Sequence, residues 1–95
     1  MELVFTGQAQ DSLDAIQDYI AEDDPVAADR TIDRIQQSAD LLAQFPMIGR
    51  VGVLEGTREL SVPNVSYRIV YRIEAETIVI DDIVHTRRRW PPEQT

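Results

Sequence analysis

The sequence predicts an α+β fold in which a helical hairpin covers one face of a sheet. Up to about residue 45, apolar residues recur at helical spacing, as on the buried face of a helix. Beyond that point, apolar and polar residues alternate over three short runs that are separated by turn residues, which is typical of strands. A short apolar run also opens the chain. The predicted order is therefore β-α-α-β-β-β, and 95 residues suffice for one domain, residues 1–95.

The first strand is predicted over residues 2–6 and the first helix over residues 8–21. A second helix is expected to begin at Asp24-Pro25, because aspartate caps helix N-termini and proline is tolerated at the first helical position. It should end at Phe45-Pro46, since proline cannot continue a helix. The spacing of its apolar residues predicts packing against the first helix; these residues are Ala28, Ile32, Ile35, Ala39 and Leu42.

Three strands are predicted in the second half, over residues 57–62, 67–73 and 77–85, after a loop or irregular edge at residues 49–56. The spacing of the last two strands indicates a hairpin. In the middle strand, Tyr67, Ile69, Tyr71 and Ile73 share the face that the helices should cover, while the arginines between them lie on the opposite, open face. About residues 91–95 should form a loose tail.

Charge is distributed unevenly along the chain. The net charge is −8, and the whole excess lies up to residue 49, where ten acids face two arginines. The remainder carries seven arginines and seven acids, so a locally basic surface on the sheet is compatible with an acidic protein. The chain contains no cysteine, which excludes disulfides and thiolate metal sites. We expect a soluble, cytoplasmic protein, because no apolar run is long enough to span a membrane and no signal peptide is recognisable.

The residues that could perform chemistry lie on or beside the three late strands. Arginine can grip a phosphate with two hydrogen bonds, and His85 titrates near neutral pH. Trp90 or Tyr67 could stack on a base. Structural roles are equally open: Arg72 could pair with an acid such as Glu59 or Glu74, and His85 could be structural.

A metal site is not expected. Asp81 and His85 should share a strand face by alternation, and Asp82 lies next to them. Two ligands without a third do not hold a metal ion in a protein. We therefore predict no metal and no cofactor.

Several segments in this order resemble the RelE/ParE superfamily of type II toxins. They are the FPMIGR that ends the helical hairpin, then REL, YRIVYRI and IVHTRRRWP, and they extend over nearly the whole chain. The resemblance implies a four-stranded, mainly antiparallel sheet packed on the helical hairpin. It also implies a separately encoded antitoxin as partner, in a possible toxin-antitoxin hetero-oligomer.

Members of this superfamily act on two kinds of target. RelE-like members cleave messenger RNA on the ribosome, whereas ParE-like members poison DNA gyrase. On the interpretation as a metal-independent endoribonuclease, the resemblance implies phosphate contacts for Arg68 and for Arg87 or Arg88. His85 would be the acid or base, because histidine is the one side-chain type that ordinarily titrates near neutral pH. The other exposed candidates would contact the target or the antitoxin; they are Arg58, Arg72, Arg89 and Trp90.

Departures from the RelE-like pattern favour the ParE-like side. The segment before the middle strand, residues 60–66, reads LSVPNVS and lacks the lysines of RelE-like nucleases. Trp90-Pro91 stands where some of those nucleases carry a tyrosine. A net charge of −8 also opposes entry into the ribosome, whose site is lined with phosphate. We therefore predict an inhibitor of DNA gyrase. The alternatives are a ribosome-dependent endoribonuclease and a non-toxic member that only binds antitoxin.

Overall fold

A computed structural model describes residues 1–91 of the chain. The predicted α+β fold, a helical hairpin packed on a mainly antiparallel sheet, is confirmed. Of the tail predicted at about residues 91–95, all but Pro91 lies outside the described residues. The elements are β1 (Glu2–Phe5), α1 (Gly7–Ala21), α2 (Pro25–Gln44), β2 (Arg50–Val51), β3 (Arg58–Ser61), β4 (Tyr67–Glu74) and β5 (Thr77–His85).

The sheet has five strands in the order β1-β5-β4-β3-β2, one more than the four predicted. The pairs β2–β3, β3–β4 and β4–β5 are antiparallel, and β1 pairs with β5 in parallel. The additional strand is β2, in which Arg50 pairs with Glu59 and Val51 with Arg58. Two residues are too few to show an alternating pattern, and the sequence predicted only a loop or irregular edge there.

Both helices begin with the caps that their sequences supply. The Thr6 hydroxyl accepts a hydrogen bond from the backbone N–H of Ala9, and the Asp24 carboxylate accepts one from that of Ala27. Helix α2 ends at Gln44, immediately before Phe45-Pro46, as predicted. Neither helix of the described chain combines the length and apolar character needed to cross a membrane.

The core lies between the helical hairpin and one face of the sheet. Ile69 and Tyr71 are fully buried there, as predicted, whereas Tyr67 and Ile73 pack at the margin and are only partly buried. The opposite face is less open than the sequence suggested, because Val70 and Val84 are also buried. The largest buried side chains are Tyr71, Ile35, Leu42, Ile69, Ile78, Ile80, Val70 and Val84.

A β-bulge interrupts the pairing of β4 with β5. Val70 lies opposite Asp82 and the next residue, Tyr71, lies opposite Ile80, so Asp81 has no partner on β4. The additional residue reverses the alternation of side chains along β5. Asp81 and His85 were predicted to share a face; this is wrong, because the bulge places Asp81 beside Arg72 and His85 on the helical side.

Candidate functional site

The sheet separates the predicted site residues into two groups. Tyr67 lies opposite His85 on β4 and β5, and Arg68 lies opposite Val84. Neighbouring side chains of a strand project from opposite faces, so Arg68 and His85 point away from each other. The rings of Tyr67 and His85 meet edge to face, with centroids 5.2 Å apart. The structure therefore does not bring the predicted phosphate contact Arg68 together with the predicted acid or base.

His85 lies in a cleft of about 400 Å³ between α1 and the adjoining ends of β4 and β5. Its Nδ1 accepts a hydrogen bond from the backbone N–H of Arg87 at 3.0 Å, which fixes the orientation of the ring. Next to the cleft, the Ser12 hydroxyl donates to the buried Asp82 carboxylate at 2.6 Å and ties α1 to β5. The cleft is lined by Ser12, Ala15, Ile16, Tyr19, Tyr67, Ile83, His85 and Arg88.

The cleft is mainly apolar and aromatic, with a cation at its rim. Burial, and secondarily the electrostatic effect of Tyr19, raise the pKa of Tyr67, so its hydroxyl stays neutral at physiological pH. Arg87 and Arg88 are exposed on the turn after β5. An apolar side chain that carries a nearby carboxylate fits such a cleft. The contribution of α1 to the cleft was not predicted, because no sequence signal pairs Ser12 or Tyr19 with the ends of remote strands.

On the opposite face, a buried carboxylate organises an ion cluster. The Glu59 side chain is 1% exposed and accepts hydrogen bonds from Arg50 Nη2 at 3.3 Å and from the backbone N–H of Val53 at 3.1 Å. The Nε of Arg68 lies 3.4 Å from the same carboxylate, and the Arg68 side chain is 15% exposed. Arg68 therefore acts as the counter-charge of a buried acid. The sequence offered Glu59 as one of two possible partners of Arg72. This pairing is wrong, because the register of the strands brings Arg50 and Arg68 to Glu59 instead.

The two remaining strand arginines also have partners within the chain. Arg72 Nε donates to both oxygens of Asp81, at 2.8 and 3.0 Å, and its Nη1 pairs with Glu74, as was considered from the sequence. The hydrogen bond to Asp81, and then the charges of Asp81 and Glu74, raise the pKa of Arg72. Arg58 Nη1 donates to the Gly49 carbonyl at 2.7 Å. Both guanidinium groups thus stabilise the sheet and its edge.

The turn after β5 carries the remaining candidates. Arg89 is exposed, and Trp90 is half-buried with its indole Nε1 shielded from solvent. Within residues 1–91, this nitrogen has no hydrogen-bond partner. The same part of the chain contains no group of three histidine, aspartate or glutamate side chains placed to hold a metal ion. The candidates that the structure does bring together are His85, Arg87 and Arg88.

Comparison with known proteins identifies a single family over almost the entire chain. Residues 3–90 match the model of the family described as the ParE toxin of the type II toxin-antitoxin system, parDE. The chain is 39% identical over 87 residues to the protein named toxin Y4kP of Sinorhizobium fredii, and the match covers 92% of this chain and 90% of that protein. It is 34% identical over 87 residues to toxin RelE2 of Caulobacter vibrioides, covering 92% and 97% of the two chains.

A solved structure has the same fold. It is the chromosomal ParDE toxin-antitoxin system from P. aeruginosa, one chain of which superposes with a TM-score of 0.82 at 26% identity. The superposition covers 92% of this chain and 97% of that chain.

Proposed function

The chain belongs to the ParE toxin family of type II toxin-antitoxin systems, and from this premise we propose that it inhibits DNA gyrase through protein contacts. A cognate antitoxin neutralises it, by analogy with the ParDE system that shares its fold. Gyrase acts on chromosomal DNA, so the proposed site of action is the cytoplasm. The inhibition requires no bond-making chemistry of the toxin itself.

The observation that supports this proposal is the separation of Arg68 from His85 by the sheet. RNA cleavage by a 2′-hydroxyl requires a proton-transfer group and cations that all act on one phosphate. His85 faces the helices, whereas Arg68 faces the buried Glu59 on the other side. Moving Arg68 to a phosphate would leave Glu59 buried without one of its counter-charges, which costs about 3–5 kcal/mol for a fully buried pair.

The alternative function, a ribosome-dependent endoribonuclease, is favoured by a different observation. His85 and Arg88 line the same cleft, and the backbone of Arg87 fixes the orientation of the imidazole. In this alternative, His85 transfers the proton and the arginines at residues 87–88 hold the phosphate. Arg68 then plays no part in the reaction.

Parallel assays of DNA supercoiling and translation test the proposal. The purified chain should inhibit supercoiling by DNA gyrase, the inhibition should be reversed by the cognate antitoxin, and translation in a reconstituted system should continue. His85→Ala should still inhibit gyrase. Cleaved messages and slowed translation, both abolished by His85→Ala, would instead establish the nuclease. A chain that binds antitoxin and affects neither assay would be a family member that only binds its antitoxin.

A further inference from the structure

An exposed apolar surface runs from the end of α2 through β2 into the turn before β3; we call it the apolar edge. Of the eleven large hydrophobic residues that are exposed in residues 1–91, six lie within residues 45–54. Their exposure ranges from 40% for Leu54 to 77% for Val51. The apolar edge consists of Phe45, Met47, Ile48, Val51, Val53 and Leu54.

The size of the apolar edge is that of an interaction surface. From their exposed fractions, the six residues present on the order of 600 Å² to solvent. The largest apolar patch on a typical monomer is about 300–600 Å² and is often functional. Each partner of a standard protein-protein interface contributes about 800 Å². The apolar edge therefore supplies most of the area that one side of a stable interface needs.

Buried polar groups hold the first half of the apolar edge in place. The Tyr71 hydroxyl donates to the Pro46 carbonyl at 2.7 Å and accepts from the Gly49 N–H at 3.0 Å. A Cβ atom at Gly49 would lie 2.5 Å from that hydroxyl, so only glycine permits this approach. The backbone that carries Met47 and Ile48 is thereby fixed to the sheet.

The second half is fixed in the same manner. The buried Glu59 carboxylate accepts from the Val53 N–H, and the Thr57 hydroxyl donates to the Leu54 carbonyl at 2.6 Å. The Gly52 N–H donates to the Thr57 carbonyl at 2.8 Å. A surface that is already ordered loses little conformational entropy on binding, which favours affinity.

Charge identifies the kind of partner. Residues 45–54 contain one charged side chain, that of Arg50, which is 68% exposed, whereas the acidic excess lies on the helices. One cation is too few for a nucleic-acid surface, where phosphate contacts dominate the affinity. In a symmetric dimer through this edge, two copies of Arg50 would approach each other, which disfavours a second copy of the chain. The fitting partner is a different protein with an apolar surface and a carboxylate that joins Glu59 at the exposed guanidinium of Arg50.

We propose that the apolar edge is the surface through which the chain binds its protein target. This inference depends on the proposed inhibition of gyrase and assigns that inhibition to a particular surface. Strand β2 forms the outer edge of the sheet, three strands away from β5, whereas the cleft lies against α1 at the ends of β4 and β5. The target and a ligand of the cleft therefore contact different parts of the molecule.

The test compares substitutions at three valines of similar exposure. Val51→Asp combined with Val53→Asp introduces charge into the apolar edge, where the valines are 77% and 69% exposed. Val26→Asp introduces a charge at a valine of α2 that is 66% exposed and lies outside the edge. The double variant should need at least about ten times more protein for half-inhibition of supercoiling by gyrase, as loss of central interface contacts does. The control should stay within about twofold of the unchanged chain.

Three further results would decide against the inference. Equal potency of the double variant and the unchanged chain would overturn the apolar edge alone. Absence of gyrase inhibition by the unchanged chain would overturn the proposed function and the inference together. Loss of antitoxin binding along with gyrase inhibition, in a variant whose thermal unfolding is unchanged, would assign the edge to the antitoxin instead.

If the aspartates prevent folding, Val51→Thr combined with Val53→Thr replaces them, because threonine preserves the shape of valine and is less apolar. A smaller loss of potency in gyrase inhibition is then expected.

Discussion

Replacing Tyr71 with phenylalanine removes one buried hydroxyl and leaves the ring in place. That hydroxyl bridges two segments of backbone, because it donates to the Pro46 carbonyl and accepts from the Gly49 N–H. Gly49 is buried, so its N–H would lose its partner without gaining water. The Pro46 residue is only partly buried, and its carbonyl can be hydrated after small movements.

The expected loss of stability follows from these two hydrogen bonds. A typical hydrogen bond contributes about 1 kcal/mol net, and a buried group left without a partner costs about 1–3 kcal/mol. Tyr71→Phe should therefore lower the free energy of unfolding by about 2–3 kcal/mol. A domain of this size has about 5–15 kcal/mol in total. Each kcal/mol shifts the melting temperature of such a domain by about 4–8 °C.

Urea unfolding followed by far-ultraviolet circular dichroism measures the effect. The midpoint concentration should fall while the slope m stays unchanged, because the surface exposed on unfolding is the same. Tyr19→Phe is the matched control, since Tyr19 is 75% exposed and its variant should lie within about 0.5 kcal/mol of the unchanged chain. If the two variants are equally stable, the Tyr71 hydroxyl does not satisfy the backbone in the manner described.

Three other predictions concern the same region. Glu59→Gln should destabilise the chain by about 2–3 kcal/mol, because the largely shielded guanidinium of Arg68 loses its counter-charge. Arg50→Ala, at a side chain that is 68% exposed, should cost under about 0.5 kcal/mol in the same urea assay. Gly49→Ala should lower the free energy of unfolding by more than about 1 kcal/mol, because the added Cβ would clash with the Tyr71 hydroxyl. Combined with Tyr71→Phe, which removes that hydroxyl, the loss should be smaller than the sum of the two single losses. Additive losses would contradict the close contact. Burial raises the pKa of Tyr71 and Tyr67 above their ordinary value, so the folded state retains these protons longer than the unfolded state. The contribution of these two tyrosines to stability should therefore be fully present below about pH 10 and be lost above it. The fall should be less steep in Tyr71→Phe, and a midpoint in urea that rises with pH there would contradict this sign.

Local signals in the sequence predicted the helices and the three long strands. Asp24-Pro25 and Phe45-Pro46 delimit α2 within one residue, because a cap and a helix breaker act on the nearest backbone and need no partner. The alternation along β4 likewise placed Tyr71 on the buried face and Arg68 on the other. These features depend on short stretches of chain.

Features that depend on remote pairing could not be predicted. The bulge at Asp81 arises only when β5 is aligned with β4, and it determines which face His85 occupies. Glu59 is likewise buried beside two arginines only through the register of β3 against its neighbours. The sequence placed the arginines on the sheet, but only the pairing of the strands shows that Arg68 and His85 lie on opposite faces of it. A site that is assembled across strands is therefore the part of this chain least visible in its sequence.

The position of β5 has a consequence for how the chain folds as it is synthesised. Strand β5 lies between β1 and β4 and packs against α1, yet it is the last described regular element to be made. Glu2 of β1 pairs with Thr77, so the first strand cannot pair until a segment some 75 residues further along the chain has been made. Such distant pairing is slow to form, and the helical hairpin precedes it because its contacts are local. A nascent chain interrupted before β5 lacks the strand that joins β1 to the rest of the sheet, and the folded toxin exists only once translation has passed residue 85.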